Sequence, residues 1–188
     1  FPSKNLGCFG DGGMCVTNDD ELAEQIRILR VHGGKPKYYH RVVGGNFRLD
    51  AIQAAILRVK LRHLESWSKG RAENAAHYDE LFAKAGLGQD VLKIPERTGH
   101  RHVFNQYVLC VKKRDELQSY LKEKGIGTAV YYPKALHLQE CFDEYGYKEG
   151  DMPTSEELAK KSLAIPVYPE LNAKQRERVV EAIVSFYR

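Results

Sequence analysis

Nothing in the sequence approaches the roughly 20 consecutive apolar residues that span a bilayer, and its start lacks the charged-then-apolar pattern of a secretory signal. A membrane partner is therefore not expected, and the location expected is cytoplasmic. Cysteine is scarce. Cys8, Cys15, Cys110 and Cys141 show no C-x-x-C spacing and no matched histidine pair, which argues against a zinc site or a disulfide scaffold and predicts no metal centre and reduced, mostly buried thiols. No long block of one charge sign occurs either: 29 Lys+Arg oppose 25 Asp+Glu for a net charge of +4, interleaved as in Lys112-Lys113-Arg114-Asp115-Glu116. That pattern speaks against nucleic acid as a partner. Internal repeats are also missing. With 43% hydrophobic and 29% charged residues, the 188-residue chain has the material for a packed core, so it belongs with globular proteins of one good-sized domain or parts of two.

Periodicity then places the elements. Met14-Cys15-Val16-Thr17 is a short β-prone run, closed by Asn18-Asp19-Asp20, with Glu21 placed to complete a capping box with Asn18. Leu22, Ile26 and Leu29 share one face of a helix that ends at Gly33-Gly34, and residues 35–45 read as an irregular basic, aromatic and glycine-bearing loop. A second helix begins at Asp50 with Gln53 as its box partner and Leu49, Ile52, Ile56 and Val59 on its apolar face, and one long or bent helix up to Gly86 is expected. Beyond Gly86 the pattern predicts strands at residues 91–94, 104–111 and 127–132. It also predicts helices at 115–124, at 156–162 after a Thr154/Glu157 box, and at 174–187 after an Asn172/Gln175 box. Ala164-Ile165-Pro166-Val167-Tyr168-Pro169 should be extended or a turn, because each proline biases its predecessor toward extended backbone. Strands and helices alternate, giving an α/β or α+β architecture.

The least ordinary stretch is Pro2-Ser3-Lys4-Asn5-Leu6-Gly7-Cys8-Phe9-Gly10-Asp11-Gly12-Gly13. Four glycines in seven positions let the backbone turn sharply and approach a ligand or another strand. It is no dinucleotide fingerprint, since Cys15 stands where the third glycine belongs, and no Walker loop, since the lysine precedes the glycines. Spacing alone leaves open whether it is a structural turn or a site.

Phe1 to Gly13, the stretch Gly45-Asn46-Phe47-Arg48-Leu49-Asp50, and Gln53-Ala54-Ala55-Ile56-Leu57 together closely resemble the DegT/StrS family of sugar aminotransferases. The likeness continues through Asn105-Gln106-Tyr107, Val130-Tyr131-Tyr132-Pro133 with His137, and residues 162–169, so it covers essentially the whole chain. It implies a pyridoxal-phosphate enzyme with an aspartate-aminotransferase-like α/β fold. This chain would be its C-terminal part, with residues 1–66 closing the cofactor domain and providing the connecting helix, and residues 67–188 forming an α+β small domain. A start at Phe1 that runs straight into the glycine-rich segment fits a piece of a longer chain. In the family, the acid on the pyridine nitrogen and the stacking ring lie upstream of the lysine.

By position, Lys4 resembles the catalytic lysine, because a primary amine can condense with the cofactor aldehyde, be displaced by an amino donor and then shuttle a proton. Asn46 resembles the residue that reaches the cofactor phosphate of a neighbouring subunit, implying a homodimer with shared sites. Arg48 has a planar fork suited to anionic oxygens and is a candidate substrate contact; a structural ion pair is the alternative. Tyr131, Tyr132 and His137 fall where the family approaches the nucleotide-linked sugar, although strand alternation should leave only one of the two tyrosine rings facing a ligand. The reaction implied is transfer of an amino group, from L-glutamate, to a keto carbon of a nucleotide-linked sugar in amino-sugar or polysaccharide biosynthesis. The rivals are a deoxysugar dehydratase, which Lys4 opposes because those relatives carry histidine there, and a non-catalytic remnant.

Overall fold

The structure is a computed structural model that describes residues 2–96 and 98–188; Phe1, the first residue of the opening motif, lies outside the described residues. Two compact units divide the chain, Phe1–Glu65 and Ser66–Arg188.

In the first unit, α1 (Asp20–Leu29) is capped one residue later than expected: Asp19, and not Asn18, accepts from Leu22 N at 3.0 Å. None of its residues is buried. Met14 to Thr17 pairs with no strand among the described residues, so its β propensity goes unused. The stretch after α1 is more ordered than its composition suggests. His32 N donates to Gly45 O, Arg41 N to Gly33 O and Phe47 N to Arg30 O, each at 3.0 Å, so the two arms of the loop are laced together. Gly33 makes this possible: its φ is +72°, and a Cβ there would stand 1.7 Å from Val42 O.

A helix does start after Asp50, but it is not continuous to Gly86. α2 (Ala51–Leu61) ends where His63 N bonds Lys60 O at 3.0 Å in a tightened last turn, and α3 (Leu64–Ala85) begins anew. No proline or glycine marks this break, so periodicity could not place it. The expected core face of α2 is largely uncovered: only Leu57 is buried, while Ile52 and Val59 are exposed.

The second unit packs helices on a three-stranded antiparallel sheet in the order β1-β2-β3, with β1 Leu92–Lys93, β2 Tyr107–Val111 and β3 Ser162–Ile165. Tyr107 pairs with Ile165 and Leu109 with Leu163, so alternate β2 side chains enter the core. β2 is shorter than its apolar run because Phe104 takes a positive φ of 41°. Of β3, only Ala164 and Ile165 were expected to be extended or turning, and Ser162 was read as the end of the preceding helix; instead residues 162–165 run as a buried strand up to Pro166, whose missing N–H ends the ladder. The strand expected at residues 127–132 reduces to a single bridge, Ala129 with Ala164. α4 (Arg114–Glu123), α5 (Pro153–Lys161) and α6 (Ala173–Tyr187) complete the unit. The Asn172/Gln175 box forms as read, both bonds at 3.0 Å. Tyr78, Tyr107, Leu109, Leu117, Leu121, Leu163 and Ile183 form the fully buried centre.

One stripe of α3 reads the carbonyls of the proline segment in turn. Tyr78 Oη donates to Pro166 O at 3.0 Å, Arg71 Nη1 to Val167 O at 2.8 Å and Asn74 Nδ2 to Tyr168 O at 2.7 Å. Arg71 Nη1 also reaches Phe104 O and Asn105 O. Residues one or two helical turns apart share a face, and backbone oxygens that have left the sheet need other donors.

Among the described residues no helix is long and apolar enough to cross a membrane, and no cluster of His, Cys, Asp or Glu could hold a metal ion. The cysteines are free thiols, but Cys15 and Cys141 are exposed, contrary to the expectation that most are buried.

Candidate functional site

The glycine-rich segment of the first unit folds back on itself. A Cβ at Gly7 would lie 1.8 Å from Pro2 O, so only glycine lets the loop close around Lys4. Lys4 stands exposed on this loop and has no ion pair with a described residue. Downstream, Phe9 N donates to Gln53 Oε1 at 2.8 Å, and buried Cys8 donates from Sγ to Gly10 O at 3.0 Å. Gln53 was expected to serve the Asp50 cap; Asp50 makes no side-chain cap bond, and Gln53 instead tethers the lysine-bearing segment to the first turn of α2.

Asn46 and Arg48 meet directly. Arg48 Nε donates to Asn46 Oδ1 at 2.7 Å, which turns the amide so that its Nδ2 donors face away from the guanidinium. The Val31–Asn46 bridge and the bond from Phe47 N to Arg30 O hold the pair to the end of α1, and both side chains are exposed. Arg48 also lines a cleft of about 1350 Å³ with Asp11, Arg27, Arg30, Val43 and Phe47; Lys4 is not part of that lining. Arg48 forms no ion pair with a described residue, which leaves guanidinium donors to offer an anionic group.

In the second unit Tyr131 and Tyr132 are joined by a cis peptide and their rings lie edge to face, centroids 5.8 Å apart. Both are open to solvent, 43% and 72%, so the alternation that put one ring in the core does not apply to a segment that forms no strand. His137 is placed differently. It is buried, its Nε2 lies 3.0 Å from Glu156 Oε1, and its Nδ1 has no hydrogen-bond partner among the described residues. Tyr147 stands edge-on to the imidazole at 6.2 Å.

Glu156 was missed by sequence reasoning, which looked to Thr154 and Glu157 for the cap of α5. The N-cap is Met152, with Pro153 opening the helix, and Glu157 instead pairs with Lys161 on the surface at 2.6 Å. The Glu156 side chain turns back: both oxygens accept from Gly150 N at 2.9 Å, and Oε1 accepts also from Met152 N at 3.2 Å. These donors, Gly150 N–H foremost and then Met152 N–H and His137, hold its carboxyl below the usual carboxylate range against the opposing effect of burial. The usable signal was a glutamate within the first turn after Met-Pro, four residues past the cap.

Comparison with known proteins identifies the family. Residues 1–184 match the DegT/DnrJ/EryC1/StrS aminotransferase family. The chain is 55% identical over its whole length to a "Pleiotropic regulatory protein" of Geobacillus stearothermophilus, covering 50% of that protein. It is 42% identical over 97% of its length to the dTDP-3-amino-3,4,6-trideoxy-alpha-D-glucose transaminase of Streptomyces venezuelae, covering 48% of it. Among solved structures, S. venezuelae DesV in complex with a ketimine intermediate superposes with a TM-score of 0.91 at 40% identity, over 99% of this chain and 49% of that one. NtdA of Bacillus subtilis, solved with bound cofactor PMP, gives 0.87 at 26% identity over 98% and 43%. The chain thus spans about half the length of the proteins it matches.

Proposed function

Because the chain belongs to the DegT/DnrJ/EryC1/StrS aminotransferase family and has the fold of the C-terminal part of an aspartate-aminotransferase-like protein, we propose that it carries the lysine and the substrate-facing half of a nucleotide-sugar aminotransferase. The observation that carries this reading is Lys4, an exposed primary amine with no ion pair to a described residue, on a loop that only glycine at position 7 allows to close. The donor set suits pyridoxal phosphate: an amine for its aldehyde, and an amide and a guanidinium for its phosphate or for the anionic groups of the sugar nucleotide. Bound pyridoxal phosphate would supply an electron-poor ring able to take up the electron pair released when a C–H bond of the amino donor breaks.

The chain's own residues do the rest. Lys4 Nζ is the amine that would hold the cofactor through its aldehyde and, when not so engaged, would take the proton from the donor's Cα. Asn46 Nδ2, oriented by Arg48, donates to the cofactor phosphate of a second copy, which makes the working form a homodimer. Arg48 is a substrate contact for an anionic oxygen; in the second unit the exposed rings of Tyr131 and Tyr132 meet the nucleotide-linked keto sugar, with hydroxyls for its oxygens and ring faces for its planar parts. His137, enclosed against Glu156, belongs to the same segment and supports it from within. L-glutamate is the donor, the location is the cytoplasm, the first unit closes the cofactor domain and the second is the small domain. Amino-sugar or polysaccharide biosynthesis would use the product.

The test is incubation of the protein with pyridoxal phosphate, L-glutamate and nucleotide-linked 3-keto and 4-keto sugars. Expected products are 2-oxoglutarate and an amino sugar seen by mass, lost in Lys4→Ala; absence of both from every sugar tried refutes the substrate class. A regulatory reading is favoured by one observation, the name of the Geobacillus relative, and turnover in this assay decides against it as the sole function.

A further inference from the structure

One carboxylate fastens two distant points of the second unit. Glu156, on α5, accepts from Gly150 N and Met152 N on one side and faces His137 Nε2 on the other, so residues 138–149 form a loop whose two ends meet at a single buried group. Within it Glu140–Tyr145 winds as a 3-10 helix, Tyr145 and Tyr147 are exposed, and the surface pair of Lys160 with Glu149 at 3.1 Å ties its far end to α5. The same clasp holds the chain on the C-terminal side of the tyrosine pair. Residues 130–134 make no backbone hydrogen bond with a described residue. They run from the Ala129–Ala164 bridge, beside which Val130 packs on the core, to buried Ala135 and the His137–Glu156 contact, which lies five residues past Tyr132. A chain held at both ends loses most of its freedom; released at one end it regains it, at a conformational cost for any ligand that must order it again.

We propose that Glu156 is a positioning residue for the acceptor sugar: it touches no substrate, and by clasping His137 to the Gly150–Met152 turn it keeps Tyr131 and Tyr132 arranged to receive the nucleotide-linked sugar. The proposal rests on the reading above that these tyrosines meet the sugar. It separates the two halves of the reaction, because the clasp acts on the sugar side and leaves Lys4 and the amino donor alone.

The experiment compares wild type, Glu156→Ala and Glu156→Gln in the protein loaded with pyridoxal phosphate. Brief chymotrypsin treatment, with cleavage after Tyr145 and Tyr147 read by mass, should be about tenfold faster in Glu156→Ala, as a loop opened by one lost anchor requires. The KM for the nucleotide sugar should rise about tenfold while the absorbance change with L-glutamate alone keeps its rate within about twofold. Glu156→Gln retains an oxygen for the same donors and should fall near wild type in both. If the alanine variant does not fold, Glu156→Asp, which withdraws the carboxylate by one methylene, should shift both readouts in the same direction. Cleavage of Glu156→Ala at the wild-type rate overturns the clasp, and an opened loop with unchanged sugar KM overturns its role in positioning. A wild-type protein inert toward L-glutamate refutes the aminotransferase reading instead, and the proteolysis comparison still decides the clasp.

Discussion

Tyr78 offers the sharpest test of how the second unit is held together. Its side chain is fully buried, its ring packs 5.2 Å from that of Tyr107, and its hydroxyl donates to Pro166 O at 3.0 Å, just where the chain leaves β3. Tyr78→Phe removes one oxygen and leaves the ring contacts in place, so the cost is the lost hydrogen bond plus a half-buried carbonyl deprived of its donor, about 2 kcal/mol. With a urea m-value near 2 kcal/mol/M for a chain of this size, the midpoint should fall by about 1 M, and Tm by roughly 4–8 °C. A second signature lies in the pH dependence. Burial pushes the Tyr78 phenol well above its ordinary 10.0, more than the nearby Arg176 charge lowers it. A group whose folded pKa is raised holds its proton more tightly when folded, so its contribution is whole below pH 10 and is lost as pH rises toward the folded value. Wild type should therefore lose stability more steeply than Tyr78→Phe above pH 10, and the two urea curves should converge. A destabilisation under about 0.5 kcal/mol at pH 7.5, or parallel alkaline limbs, would refute the account of α3 as the donor of hydrogen bonds to the proline segment.

Other perturbations follow from the same geometry. Asn172→Ala breaks the realised capping box of α6 and should cost about 1 kcal/mol in urea unfolding; no change would mean the cap is replaced by solvent. Gly7→Ala puts a methyl 1.8 Å from Pro2 O, so the lysine loop must move, and the absorbance of bound pyridoxal phosphate should be lost while far-UV circular dichroism is kept. The lowered pKa of Glu156 gives stability that is present above about pH 4.5 and disappears as pH falls through the lower folded value. Glu156→Gln should flatten that acid limb, measured as urea midpoint against pH from 3 to 6.

What could be read beforehand depended on how local the signal was. The Asn172/Gln175 box needs four consecutive residues and forms as written, and Gly125 ends α4 where a left-handed residue was needed, φ +69°. The motifs around Lys4, Asn46 and Arg48 spoke through resemblance, and the family match over residues 1–184 bears that resemblance out. Interactions that join distant residues were invisible: Gln53 with Phe9 N, Tyr78 with Pro166 O, and Glu156 with His137 all use side chains whose local context suggested something simpler. β3 was obscured by its prolines, which fix the end of the strand without saying that a buried strand precedes them. The break at Arg62–His63 carries no helix-breaking residue, and so left no mark on the pattern.

The most direct test of the central claim is an absorption spectrum of the purified protein with pyridoxal phosphate, before and after L-glutamate, beside Lys4→Ala. The account predicts a visible band from the cofactor bonded to Lys4, bleached by L-glutamate, and no such band in the variant. A wild-type spectrum indistinguishable from free cofactor, or a Lys4→Ala protein with the same band and the same bleaching, would contradict it.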